Sequence, residues 1–75
     1  MVIDFRKDAS HALRFAVFDA ATGQRLDHRL AIFYADDEAG VIKHYRRLPA
    51  GAYVGRDGLP EVIEERRKID IVRKV

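Results

Sequence analysis

Residues 30–45, LAIFYADDEAGVIKHY, decide the fold. The opening LAIFYA is apolar on both faces and rich in residues that suit a pleated, buried strand. VIKHYRRL, residues 41–48, reads as a half-buried return strand. Between them DDEAG, residues 36–40, supplies turn chemistry: aspartates that bond their own backbone, and a glycine that accepts positive φ. Two strands joined by so short a polar turn pair as a hairpin. A lone hairpin is marginal in water, so the rest of the chain must extend or cover it.

The flanking segments read as further strands. In ALRFAVF, residues 12–18, Leu13, Phe15 and Val17 share one face, and DAATGQ, residues 19–24, forms a tight turn around Gly23. Residues 49–60, PAGAYVGRDGLP, are punctuated by two prolines and three glycines, with a turn at Asp57-Gly58 and room for a short strand at Tyr53 and Val54. The tail EVIEERRKIDIVRKV places acids before bases, which suits a helix behind Pro60. Its apolar residues leave a gap where a helix needs its core stripe, and Ile69-Asp70-Ile71 alternates at period two. A strand across roughly the last half of the tail is therefore expected.

The expected fold is mainly β, a single domain over residues 1–75. It is an antiparallel meander or partly closed barrel of four to five strands, with an α+β arrangement carrying a C-terminal helix as the alternative. The expected core is Leu13, Phe15, Val17, Leu30, Ile32, Tyr34, Val41, Tyr45, Ile69 and Ile71, subject to a one-residue choice of face in each strand.

A chain of 75 residues makes one domain and buries only about 60% of the surface its unfolded form exposes. With no cysteine it has no disulfide or thiolate-metal staple, which makes self-association an expectation. The charged opening MVIDFRKDAS is no ordinary signal peptide, and no stretch approaches membrane-spanning length, so a cytoplasmic, non-membrane protein is expected. The 14 basic and 12 acidic residues leave a net charge of +2, which permits nucleic-acid contact without requiring it.

Tyr34-Ala35-Asp36-Asp37 resembles the tyrosine–x–aspartate–aspartate box of reverse transcriptases, but four residues carry none of the surrounding palm that fixes two metal ions. An acidic turn capped by Asp36 and Asp37 explains the same letters, with Glu38 solvated and Gly40 relieving the backbone. His11, His28 and His44 share no local ligand spacing, although folding can bring His28 and His44 onto neighbouring strands. Asp8, Ser10 and His11 lie too close along the chain to face one another as a triad. Gly51, Gly55 and Gly58 match no phosphate-binding loop. No catalytic residue, cofactor site or metal site is assigned, and a non-enzymatic protein is expected.

The basic residues carry more content. Lys43, Tyr45, Arg46 and Arg47 interleave an aromatic with cations, and Arg66 and Arg67 add a second group. On one sheet face they would grip phosphates while a tyrosine stacks on a base. Cross-strand pairing with Glu61, Glu64 and Glu65 accounts for the same pattern without a nucleic acid.

With VFDAATGQ (residues 17–24) and FYADDEAGVIKHY (residues 33–45), the chain resembles small bacteriophage- and prophage-encoded proteins in its strand, acidic turn, strand style. That resemblance implies a bacterial host cytoplasm and a part in the phage programme, such as virion assembly or modulation of a host factor. It carries over no functional residue. The functional expectation is protein interaction or assembly, through a protein partner or self-association, with a nucleic-acid-binding accessory role as the alternative.

Overall fold

Alternating and doubly apolar segments form strands, and residues 36–40 close the central hairpin. The computed structural model describes residues 1–47 and 60–74. Within them lie β1 (Val2–Asp4), α1 (Ala9–Ala12), β2 (Phe15–Asp19), β3 (Ala31–Asp36), β4 (Val41–Tyr45), β5 (Val62–Arg66) and β6 (Ile69–Arg73). One antiparallel sheet runs β1-β3-β4-β5, and a second pairs β2 with β6. The mainly β expectation holds, as two sheets that do not close into a barrel. The tail is strand in both halves, so the C-terminal helix does not form. The expected strand at Tyr53 and Val54 and the Asp57-Gly58 turn lie outside the described residues. Among the described residues no helix is long and apolar enough to cross a membrane.

The turns follow their local chemistry. Asp36 Oδ1 accepts the backbone N–H groups of Glu38 and Ala39, and Gly40 sits at φ 65°. A Cβ at Gly40 would also stand 3.3 Å from the Arg67 carbonyl oxygen, so the hairpin end and the β5 exit need glycine there together. At the β2 exit Asp19 Oδ1 accepts from Ala21 and Thr22, and Gly23 sits at φ 74°. Asp8 caps the single turn of α1 by accepting the His11 N–H at 3.0 Å.

Ile3, Ala35 and Ile42 stand opposite one another across β1, β3 and β4. They pack with Ala12, Val17, Leu26 and Ile69 into the core, against which Phe5, Phe15, Leu30, Ile32 and Ile71 are half-buried. Several expected core positions are corrected. Leu13 is 59% exposed because it caps α1 and lies outside the strand. In β4 the buried residues are Ile42 and His44, so Val41 and Tyr45 turn to the other face. Adjacent apolar residues at positions 41 and 42 satisfy period two in either register, and burial of Ile42 decides it. In β3 a bulge between Ile32 and Tyr34 adds Phe33. Ile32 therefore meets the core while Ala35 replaces Tyr34 beyond it.

The remaining architectural fact is a change of sheet. Arg67 N–H donates to Gly40 O at 2.8 Å, extending the β4–β5 ladder. Lys68 O accepts from Ala20 N–H at 3.0 Å, and Lys74 N–H donates to Arg14 O at 2.7 Å, extending the β2–β6 ladder. Successive residues of an extended chain turn their backbone groups to opposite edges. Residues 62–73 thus form one strand, held by β4 on one edge and then by β2 on the other, with the switch at Arg67 and Lys68.

Ile42→Ala is expected to destabilise the protein by about 2–5 kcal/mol, as for other fully buried aliphatic truncations. Val41→Ala should have a clearly smaller effect. Urea denaturation of both variants checks the strand face.

Candidate functional site

The basic residues divide between two faces. Lys43, Tyr45 and Arg66 share the face of the large sheet that turns away from Ile42, since Lys43 stands opposite Glu64 and Val41 opposite Arg66. Arg67 is half-buried on the other face, because neighbouring strand residues point to opposite sides. Lys43 Nζ lies 3.8 Å from Glu64 and 4.8 Å above the Tyr34 ring, and Arg46 hydrogen-bonds Glu61 at 3.1 Å. Tyr45 stacks on Phe33 with centroids 4.5 Å apart, and Arg6 lies 4.3 Å above the same Phe33 ring. Arg46 and Arg47 are exposed at the end of β4. The structure thus gathers an aromatic and cationic face, but its acids alternate with its bases across the ladder.

The carboxylates of the acidic turn have structural partners. Asp36 caps the turn, and Asp37 Oδ1 accepts from the Met1 ammonium at 2.6 Å, which raises the pKa of that amine. Glu38 is solvated. Asp37 therefore departs from its expected capping role. His28 is exposed and His44 buried. Among the described residues, no group of three or more His, Asp or Glu side chains gathers as a metal site.

A second constellation lies where residues 24–30 strap the edge of β2. Asp19 N–H donates to Gln24 O, and Leu26 N–H donates to Val17 O, both at 2.8 Å. The Val17 N–H, in a fully buried residue, has no third strand beside it among the described residues and donates to Asp27 Oδ1 at 3.2 Å. Arg25 grips the same carboxylate with two bonds of 2.9 and 3.0 Å. Burial alone would raise the Asp27 pKa. The Arg25 and Val17 hydrogen bonds outweigh it and hold that pKa below its ordinary value. This anchor seats Leu26 in the core and carries Arg29 and Leu30 to the rim of a cavity.

The cavity, about 340 Å³, is lined by Gln24, Leu26, Arg29, Leu30, Glu65 and Arg67. Behind it His44, 6% exposed, places Nε2 3.3 Å from Glu65 Oε2, yet both atoms are buried without a hydrogen bond. Arg67 reaches Asp19 at 3.7 Å and Glu65 at 3.9 Å, ion-pair distances beyond hydrogen-bond reach. The sequence grouped Arg67 with Lys43 and Arg66, which the structure places on the opposite face, and offered Glu65 only as a cross-strand partner; Gln24 and Arg29 were not singled out. The Arg25-x-Asp27 spacing about Leu26 was the available signal for the strap. The chain matches no known protein family, curated protein or solved structure.

Two measurements test this geometry. Asp27→Ala should destabilise by about 1–3 kcal/mol at neutral pH, because the buried Val17 N–H loses its partner. A lowered folded-state pKa means Asp27 stabilises above its unfolded pKa, and that contribution is lost as pH falls through the folded value. The stability gap between wild type and Asp27→Asn should therefore narrow steadily below about pH 4.

His44→Leu alone should change stability little, because Glu65 Oε2 is already without a hydrogen bond. The double variant His44→Leu with Glu65→Leu, which removes both unsatisfied atoms, should stabilise by about 1–3 kcal/mol. Denaturant midpoints of the three proteins decide it.

Proposed function

We propose that this is a non-enzymatic interaction protein that assembles by strand addition, with a second copy of the chain as its partner. The observation that supports this reading most directly is the edge of β6 left over by the change of sheet. Once Lys68 and Lys74 bond toward β2, the backbone groups of Ile69, Ile71 and Arg73 face away from it, and no described strand pairs with them. Val72 is 48% exposed on the same strand. An open edge of Ile-Asp-Ile-Val-Arg is a template for another strand.

Charge selects the register. An antiparallel two-fold centred on Val72 sets Val72 against Val72, Asp70 against the partner's Lys74, and Ile71 against the partner's Arg73. Opposite charges then meet on both sides of the axis. Isologous pairing of this kind is the commonest route to homodimers. A joint this short gives a weak, concentration-dependent dimer. Through the resemblance to phage-encoded proteins, the setting we propose is a bacterial host cytoplasm, in an assembly role.

Sedimentation velocity across a concentration series should show a monomer–dimer equilibrium. Asp70→Lys and Lys74→Asp should each shift it toward monomer, and the double charge swap should restore it. A monomer at every concentration, or a double swap no better than the singles, would remove the proposed joint.

A further inference from the structure

We infer that Arg14 and Lys74 form a binding site for a small polyphosphate anion, and that this anion competes with the partner chain for Lys74. The site itself does not need the β6 joint, whereas the competition rests on it. Lys74 N–H donates to Arg14 O at 2.7 Å, so the two residues stand opposite each other, one step beyond the Phe15–Arg73 pair. Both are exposed. By the two-residue period they share the outer face with Ala16 and Val72. Like charges directly opposite on paired strands destabilise a sheet. The large sheet avoids this, with Lys43 opposite Glu64 and Arg46 opposite Glu61.

No acid answers the pair in the second sheet. Among the described residues, Arg14, Arg73 and Lys74 all lie beyond ion-pair distance of any carboxylate. The acids of the neighbouring segments are engaged elsewhere: Asp8 caps α1, and Asp27 holds Arg25 and the Val17 N–H. Asp70, on the same strand and face, stands about 13 Å along the chain from Lys74. It belongs to the opposite end of the sheet, where it lines a recess with Asp37 and Glu38. Arg14, Arg73 and Lys74 thus leave uncompensated positive charge at one end.

That charge specifies a ligand. An arginine fork beside an ammonium donates to phosphate oxygens from two directions. Exposed cations hold a single charge weakly, so an anion carrying several charges is selected. Asp70 borders the cluster on the same face and repels an extended nucleic-acid backbone, which favours a small anion. In the β6 joint the Lys74 ammonium meets the partner's Asp70. A bound anion takes that ammonium and sets negative charge where the carboxylate would approach. Anion binding and association therefore weaken each other by the same factor.

The test is an amide NMR titration of the isotope-labelled full chain with sodium pyrophosphate, against sodium chloride matched in ionic strength. Pyrophosphate should give saturable shifts at Arg14, Phe15, Arg73 and Lys74, and chloride none. Arg14→Gln should weaken binding about tenfold, the effect of losing a charge-assisted bond. In sedimentation velocity, saturating pyrophosphate should raise the dimer dissociation constant about tenfold over matched chloride. Arg14 lies outside the joint, so Arg14→Gln should dimerise like wild type and lose that response. No saturable shift up to tens of millimolar pyrophosphate, or a shift unchanged by Arg14→Gln, would overturn the site. Tighter binding of a short single-stranded oligonucleotide than of pyrophosphate would overturn the small-anion reading in favour of a nucleic acid. Saturable shifts in a protein that stays monomeric would support the site and remove the joint and the competition together. A dimer that binds pyrophosphate without dissociating would overturn the competition alone.

Discussion

The change of partner along residues 62–73 is the constraint on which the rest of the structure depends. A small β domain must bury one face of each sheet, and its two sheets must be held against each other to do so. The chain meets that need by bonding Arg67 to Gly40 on one edge and Lys68 to Ala20 on the other. The switch brings Ile69 from the second sheet against Ile42 and Ala35 from the first, so one core serves both. It also explains the glycine at residue 40, since the Arg67 carbonyl passes within 3.3 Å of where a Cβ would stand. The same geometry leaves an edge on each half of the strand, with consequences for association.

Covering the outer edge of β2 takes a different device. Residues 24–27 run beside it without forming a full strand, and the Asp27 carboxylate stands where a backbone carbonyl would have been. A carboxylate in that position needs a cation, and Arg25, two residues away, supplies it with two bonds. The polar row behind the strap is less complete. His44 and Glu65 occupy positions on the core side of the sheet and approach each other without a bond. In so small a domain, an unsatisfied buried pair works against the stability that Ile42 and its neighbours provide.

The charged residues of β4 and β5 show how pairing limits a sequence-level reading. Lys43, Arg46 and Arg67 are basic in the sequence, yet Glu64, Glu61, Glu65 and Asp19 neutralise them locally. Arg66 and Arg67 are neighbours in the chain but lie on opposite faces, so they cannot act as one basic patch. The aromatic cluster of Phe33 and Tyr45 under Arg6 arises from the bulge in β3, which no local pattern announced.

Much of this protein was determined by its sequence alone. The central hairpin, the positive-φ glycines at 23 and 40, the caps made by Asp19 and Asp36, and the strand character of the last residues all follow from forces acting within a few residues. The single turn of α1 was legible in principle from Asp8 as a cap, but four residues leave too short a period to read. Tertiary structure decided which face of β4 is buried, where β3 bulges, and how one strand divides between two sheets. It also decided that Gln24, Arg29, Glu65 and Arg67 line one cavity. The physical reason is the same in each case. A period of two supplies two faces and two edges, and only burial against distant segments chooses between them.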